Sequence, residues 1–146
     1  MSATVERFES AEELDALVRG FEDASLTRER WTHGAHIAVA TCHALAYDDV
    51  EATSRVRDGI LRLNAAHGVA QTPTGGYHET LTRFYMWAVR RHLRALRGDL
   101  TRVETVNGTI AALWDRSIAL DYWSRDRLMS WEARTGWLPP DLRPLD

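Results

Sequence analysis

Lysine is absent from this chain, so all 18 of its basic residues are arginine. Without lysine there is no Schiff-base lysine, no phosphate-loop lysine and no pyridoxal chemistry. Cys42 is the single cysteine, which excludes an internal disulfide, a multi-cysteine zinc site and a self-contained iron–sulfur cluster. No apolar run approaches the roughly 20 residues that cross a bilayer. The sequence therefore predicts no membrane span.

The composition is that of an ordinary globular protein. The chain has 146 residues, of which 45% are hydrophobic and 27% charged, so it is long enough to bury a core. It has no internal repeat and no linker long enough to divide it, and we expect one helical domain over residues 1–146. The net charge of −3 argues against nucleic acid or an anionic membrane as a partner. Because the N-terminus lacks the pattern of a signal peptide, we expect a cytoplasmic location.

Helical spacing of apolar residues dominates, and no alternating stretch is long enough to predict a sheet. We predict an all-α fold, a compact bundle of about five main helices followed by a C-terminal tail of short helices rich in aromatic residues and proline. Ser10, Thr32 and Asp48 are the predicted N-caps of the first three helices. The five helices are expected over about 11–23, from 32 to about 47, from 48 to about 67, from 77 to about 97, and over about 100–113. The segment 68–76 has three glycines and a proline and is predicted to be irregular.

Histidine is the residue type that carries the clearest functional signal. His33 and His36 are three residues apart, so they share one face of the second helix, which is also its apolar face. His78 opens the fourth helix on the inward line of Leu81 and Tyr85. Near a helix start the positive end of the helix dipole disfavours imidazolium. Neutral imidazole is the form that binds metals and accepts protons, so these three positions are the candidate site.

The first hypothesis is a small metal-dependent enzyme that acts on a small-molecule substrate. His33, His36 and His78 would bind one divalent metal, with Glu79 as a fourth ligand or general base. Three imidazoles suit zinc, whereas two imidazoles with a carboxylate suit iron or manganese. His33, His78 and Glu79 are the candidate catalytic residues, and the loop 68–76 is expected to border the site. The reaction and the oligomeric state are not predicted.

Two alternatives stay open. One is a metal-free acid–base enzyme or small-molecule binder that uses His33 and His78 against Glu79. The other is a noncatalytic interaction domain in which the histidines are buried and bonded to backbone carbonyls. Elemental analysis of the purified protein separates the metal-dependent hypothesis from both.

The chain also resembles a family of small, uncharacterised bacterial helical proteins. The resemblance covers residues from about 28 to the end, and its motifs are Trp31-Thr32-His33-Gly-Ala-His36, Gly76-Tyr77-His78-Glu79-Thr80-Leu-Thr82 and the tail segments Tyr122-Trp123-Ser124, Glu132-Ala133-Arg134 and Pro140-Asp141-Leu142. No activity is attached to that family. The resemblance therefore implies that the three histidines are important without naming a reaction.

Overall fold

The computed structural model describes residues 4–146, and over these residues it is helical with no β-strand. The predicted all-α class is confirmed. Within this part of the chain no helix is long and apolar enough to cross a membrane. The five long helices are α1 (Ala11–Glu22), α2 (His33–Ala46), α3 (Asp49–Ala66), α4 (Glu79–Ala95) and α5 (Arg102–Ala112). Two short helices, α6 (Arg125–Leu128) and α7 (Trp131–Thr135), follow in the tail.

The N-caps explain where most of the long helices begin. The side chains of Ser10, Thr32 and Asp48 each accept a hydrogen bond from a backbone N–H three residues later, as predicted for α1, α2 and α3. The sequence predicts the cap of the fifth helix at Gly98-Asp99, but the structure places it at Thr101. Thr101 and Glu104 form a complete capping box, in which each side chain accepts from the other residue's backbone N–H, and this box starts α5.

The start of α4 differs from the prediction by two residues, and the cause is a histidine. The apolar pattern places the start near Tyr77, but the helix begins at Glu79 because His78 is its N-cap. The Nδ1 atom of His78 accepts the Leu81 backbone N–H at 3.1 Å. N-caps are usually Ser, Thr, Asp or Asn, and here an imidazole caps the helix instead. A search of the sequence for the usual capping residues therefore does not identify this helix start.

Helix α2 occupies the centre of the bundle. It contacts α1, α3, α4 and α5. Most of its residues after the first turn are small or β-branched and buried, which matches the rule that a helix apolar on all sides is a core helix. Its N-terminal end lies beside α3, α4 and the segment that follows α5, and this position determines where a pocket forms.

Candidate functional site

A pocket of about 420 Å³ opens at the N-terminal end of α2. Helices α3 and α4 and the segment after α5 complete its walls. All three histidines singled out in the sequence, His33, His36 and His78, line it. The rest of its surface is mainly apolar and includes Trp31, Ile37, Val56, Ile60, Leu81 and Met86. A mostly apolar pocket with a few polar groups is the usual form of a small-molecule site.

His36 is held as a neutral ring on an aromatic wall. Its Nδ1–H donates to the Thr32 carbonyl at 2.7 Å, and its ring stacks on Trp31 with centroids 3.7 Å apart. Burial among protein groups lowers the pKa of His36 to about 4, and the charge of Arg116 acts in the same direction. The side chain nevertheless remains accessible, because it faces a pocket open to solvent. Since Nδ1 carries the proton, Nε2 is an unprotonated acceptor at neutral pH.

His33 is oriented by a different carbonyl. Its Nε2–H donates to the Leu113 carbonyl at 3.2 Å, at the C-terminal end of α5. Tyr85 and Trp114 flank the ring, with centroids 6.0 and 5.6 Å away. Its Nδ1 forms no hydrogen bond with any residue in 4–146, and it is not among the buried side-chain atoms that lack a partner. His33 therefore presents a second accessible acceptor nitrogen.

His78 has both ring nitrogens engaged. Nδ1 accepts from the Leu81 N–H, and Nε2–H donates to the Leu128 carbonyl at 2.7 Å. Burial lowers the pKa of His78, and the nearby charge of Arg134 adds to that effect. The ring is thus a neutral connector that caps α4 and ties it to α6. In this conformation it has no nitrogen left for a metal or a substrate.

These contacts do not favour the predicted three-histidine metal centre of His33, His36 and His78. Within residues 4–146 no group of three or more His, Cys, Asp or Glu side chains is placed to hold a metal ion. The physical reason is the double engagement of His78, which leaves two imidazoles with a free nitrogen. A bound iron, manganese or zinc ion stays a prediction.

Glu79 lies outside the pocket wall, in an ion pair. Arg57 donates to its two carboxylate oxygens at 2.8 and 2.7 Å, and the Tyr77 hydroxyl donates to Oε1 at 2.6 Å. Burial raises the pKa of Glu79, but the bonds from Arg57 and Tyr77 outweigh it and hold the pKa below its usual value. Glu79 therefore links the start of α4 to α3. This arrangement does not favour the catalytic or ligand role predicted for it.

The loop 68–76, predicted to border the site, contributes Gly76 to the pocket wall. The Gln71 side chain fixes the end of this loop by accepting from the Tyr77 N–H at 2.8 Å and donating to the Tyr77 carbonyl at 2.9 Å. Gly76 has a φ of +91°, and a Cβ there would lie 2.6 Å from the Gln71 Oε1. Glycine is therefore required where the chain turns into the site.

Arg116 is the residue of this site that the sequence analysis missed. It follows α5, is exposed, and lines the pocket. Its guanidinium forms no ion pair with an acidic side chain of residues 4–146. The described residues that line the pocket include no Asp or Glu and no other arginine. No local pattern distinguishes Arg116 from the other 17 arginines, so only the fold reveals it.

The remaining three histidines lie away from the pocket. His43 donates through Nδ1–H to the Val39 carbonyl at 2.8 Å, and His67 through Nε2–H to the Leu26 carbonyl at 2.7 Å. The Nε2 atom of His92 is buried and finds no partner among residues 4–146. None of the three has a role in the candidate site.

No protein-family model, no curated protein and no solved structure matches this chain. The function is therefore inferred from the chemistry of the pocket.

Proposed function

We propose that this protein binds a small organic molecule in the pocket at the start of α2, and that His33 and His36 accept hydrogen bonds or a proton from it. One observation carries the proposal. Two imidazoles line the same pocket, and each has one nitrogen fixed by a backbone carbonyl and the other without a partner among residues 4–146. This is the metal-free alternative of the sequence analysis, with His36 replacing His78 and Glu79.

The pocket has the properties that such a role requires. Its volume of about 420 Å³ falls within the range of roughly 300–1,000 Å³ that small-molecule sites occupy. The apolar wall supplies most of the binding free energy, whereas the two acceptors give orientation. The carbonyls of Thr32 and Leu113 fix the tautomers of the two rings in advance, so no ring has to reorient when a ligand arrives.

The neutral His36 ring is suited to orient an acidic group of the ligand. An O–H or N–H next to its Nε2 atom meets an unprotonated nitrogen at neutral pH. Because burial lowers the pKa of His36 to about 4, the ring is a weak base, and we expect it to accept a hydrogen bond rather than a proton.

The metal-dependent hypothesis needs more rearrangement. To supply a third imidazole, His78 would have to release the Leu128 carbonyl or the Leu81 N–H. Elemental analysis of protein purified without chelators tests this directly. A stoichiometric iron, manganese or zinc content that disappears in His33→Ala would overturn the metal-free proposal.

The decisive experiment is a fragment screen monitored by two-dimensional amide and indole NMR. We expect binders to shift the signals of pocket residues such as Trp31, Leu81 and Tyr85. The test variant is His36→Phe, which keeps a ring to stack on Trp31 but removes both nitrogens. The matched control is His92→Phe, on α4 but outside the pocket.

The proposal predicts that polar fragments lose affinity in His36→Phe and keep it in His92→Phe. A screen in which no fragment shifts the pocket signals would overturn it. Equal binding of polar fragments by wild type and His36→Phe would show that His36 is not a hydrogen-bond acceptor for the ligand.

A further inference from the structure

A single arginine carries the formal charge of the described residues that line the pocket, and the neighbouring Glu6 carboxylate accepts from the Thr32 hydroxyl and the Gly34 N–H at 2.7 and 3.1 Å. The protein carries a net charge of −3, yet Arg116 is the single Asp, Glu, Lys or Arg among the described lining residues. Asp115, the nearest acid in sequence, has its Oδ1 occupied by the backbone N–H and hydroxyl of Ser117, at 2.9 and 2.7 Å. The pocket therefore presents a cation that no carboxylate of residues 4–146 pairs with.

The position of Arg116 is linked to the histidines. His33 binds the Leu113 carbonyl, and its ring also contacts Trp114, so the chain just before Arg116 is held against the start of α2. Arg116 lies close enough to His36 for its charge to help lower the pKa of that ring, whereas burial raises the pKa of Tyr85 and the charge of Asp115 acts on it more strongly than that of Arg116. Arginine and the two imidazole acceptors thus face one space from neighbouring segments.

The rest of the space is suited to a flat apolar group. One side is the stack in which His36 lies on Trp31 and Trp31 lies on Phe21, with ring centroids 3.7 and 5.3 Å apart. Aliphatic side chains from α3 and α4, such as Ile60 and Leu81, form part of the remaining wall. Aromatic rings bind well between such surfaces because they bury a large area with little loss of conformational entropy.

From these features we propose that the ligand is an aromatic hydroxycarboxylate, whose flat apolar body lies against the aromatic wall, whose carboxylate is bound by Arg116 and whose hydroxyl donates to the acceptor nitrogen of His33 or His36. This inference rests on the proposed function, because it assumes that the pocket at the start of α2 is the binding site. A guanidinium binds a carboxylate through two parallel N–H···O bonds, which combine charge with direction. A neutral molecule of the same shape gains only a weaker hydrogen bond from Arg116, and a cationic one is repelled by it.

The test uses three probes that share one ring system and one phenolic O–H donor and differ in charge: 6-hydroxy-2-naphthoate, the neutral 6-hydroxy-2-naphthamide and the cationic (6-hydroxy-2-naphthyl)methylammonium. Their affinities are measured by isothermal calorimetry, and their position by the NMR shifts of the pocket residues. The test variant is Arg116→Gln, which keeps much of the side-chain length and removes the charge. The matched control is Arg125→Gln, an exposed arginine that forms no ion pair within residues 4–146 and does not line the pocket.

We expect wild-type protein to bind 6-hydroxy-2-naphthoate about tenfold more tightly than 6-hydroxy-2-naphthamide, which corresponds to one charge-assisted contact that is open to solvent. Arg116→Gln should abolish this preference and leave the affinity for the amide nearly unchanged, while Arg125→Gln behaves like wild type. If the amide and the carboxylate bind equally well in the pocket, the inference is overturned while the proposed function stands. If none of the three binds there, the inference is also overturned, and the fragment screen decides on the pocket independently.

Discussion

Replacing His78 by alanine should destabilise the protein strongly, because the ring makes two backbone hydrogen bonds at once. Loss of the N-cap bond to the Leu81 N–H costs about 1 kcal/mol in the free energy of unfolding. Loss of the bond to the buried Leu128 carbonyl leaves that acceptor without its partner, which costs about 1 to 3 kcal/mol. The sum is about 2 to 4 kcal/mol. For a chain of 146 residues this corresponds to a fall in melting temperature of about 5 to 15 °C.

Thermal unfolding followed by circular dichroism measures this effect, and two further variants test its cause. His78→Asn retains a good capping side chain and should recover about 1 kcal/mol of the loss. His92→Phe is the matched control on the same helix. It replaces a ring whose Nε2 is buried without a partner, so its melting temperature should be equal to or above that of wild type. A melting temperature of His78→Ala close to that of wild type would refute a structural role for this ring.

Three further predictions follow from the same contacts. Because the pKa of His36 is lowered to about 4, the unfolded chain binds more protons than the folded one between about pH 4 and 6.5. The free energy of unfolding should therefore fall by about 1 to 2 kcal/mol as the pH falls through this window, a value reduced because solvent reaches the ring. Urea unfolding at a series of pH values measures this fall, which should be smaller in His36→Phe. Gly59→Ala should lower the melting temperature, since its Cβ would lie 2.2 Å from the Phe21 ring. Gly108→Ala meets no described atom within 4 Å and should raise the melting temperature slightly, so a similar effect of both variants would contradict the close packing of Gly59 on Phe21. Glu79→Gln weakens the ion pair with Arg57 and should lower the free energy of unfolding in urea by about 1 to 3 kcal/mol, while ligand affinity in the pocket stays unchanged. A large loss of affinity would show that Glu79 takes part in ligand binding.

The helices were largely predictable because their determinants are local. An N-cap such as Ser10, Thr32 or Asp48 acts on a backbone N–H only three residues away, so sequence spacing is enough to find it. The start of α4 was placed too early because imidazole is not among the usual capping groups. Asn107 shows the opposite situation: its amide binds both backbone groups of Phe8, 99 residues away, and nothing near it in the sequence reveals that contact.

The candidate site was predictable in part for a related reason. Helical periodicity places His33 and His36 on one face, and it places His78 on the inward line of the next wall. His78 has no free nitrogen because it combines a local bond from the Leu81 N–H with a bond to a carbonyl far along the chain, whereas His33 makes only the distant bond. The partner of His33 is 80 residues away and the partner of His78 is 50 residues away. For that reason the sequence could not separate a metal ligand from a helix cap.

The ionic residues were the least predictable members of the site. Glu79 follows His78 directly and therefore looked like part of the same centre, but Arg57 on α3 draws its carboxylate into an ion pair. Arg116 is the opposite case, a residue that belongs to the pocket although its sequence context does not indicate it. It has no motif around it, and it enters the pocket only because α5 ends beside the start of α2.

Long-range ¹H–¹⁵N NMR of the histidine side chains at neutral pH, with and without a pocket ligand, distinguishes free ring nitrogens from engaged ones. We expect His36 and His78 to be neutral, with the proton on Nδ1 in His36 and on Nε2 in His78, and we expect Nε2 of His33 to carry the proton that it donates to the Leu113 carbonyl. Ligand binding should shift Nδ1 of His33 and Nε2 of His36 and leave both nitrogens of His78 unchanged. A charged His36 in the free protein, or a ligand that shifts His78 and not the other two, would refute the proposed roles of these rings.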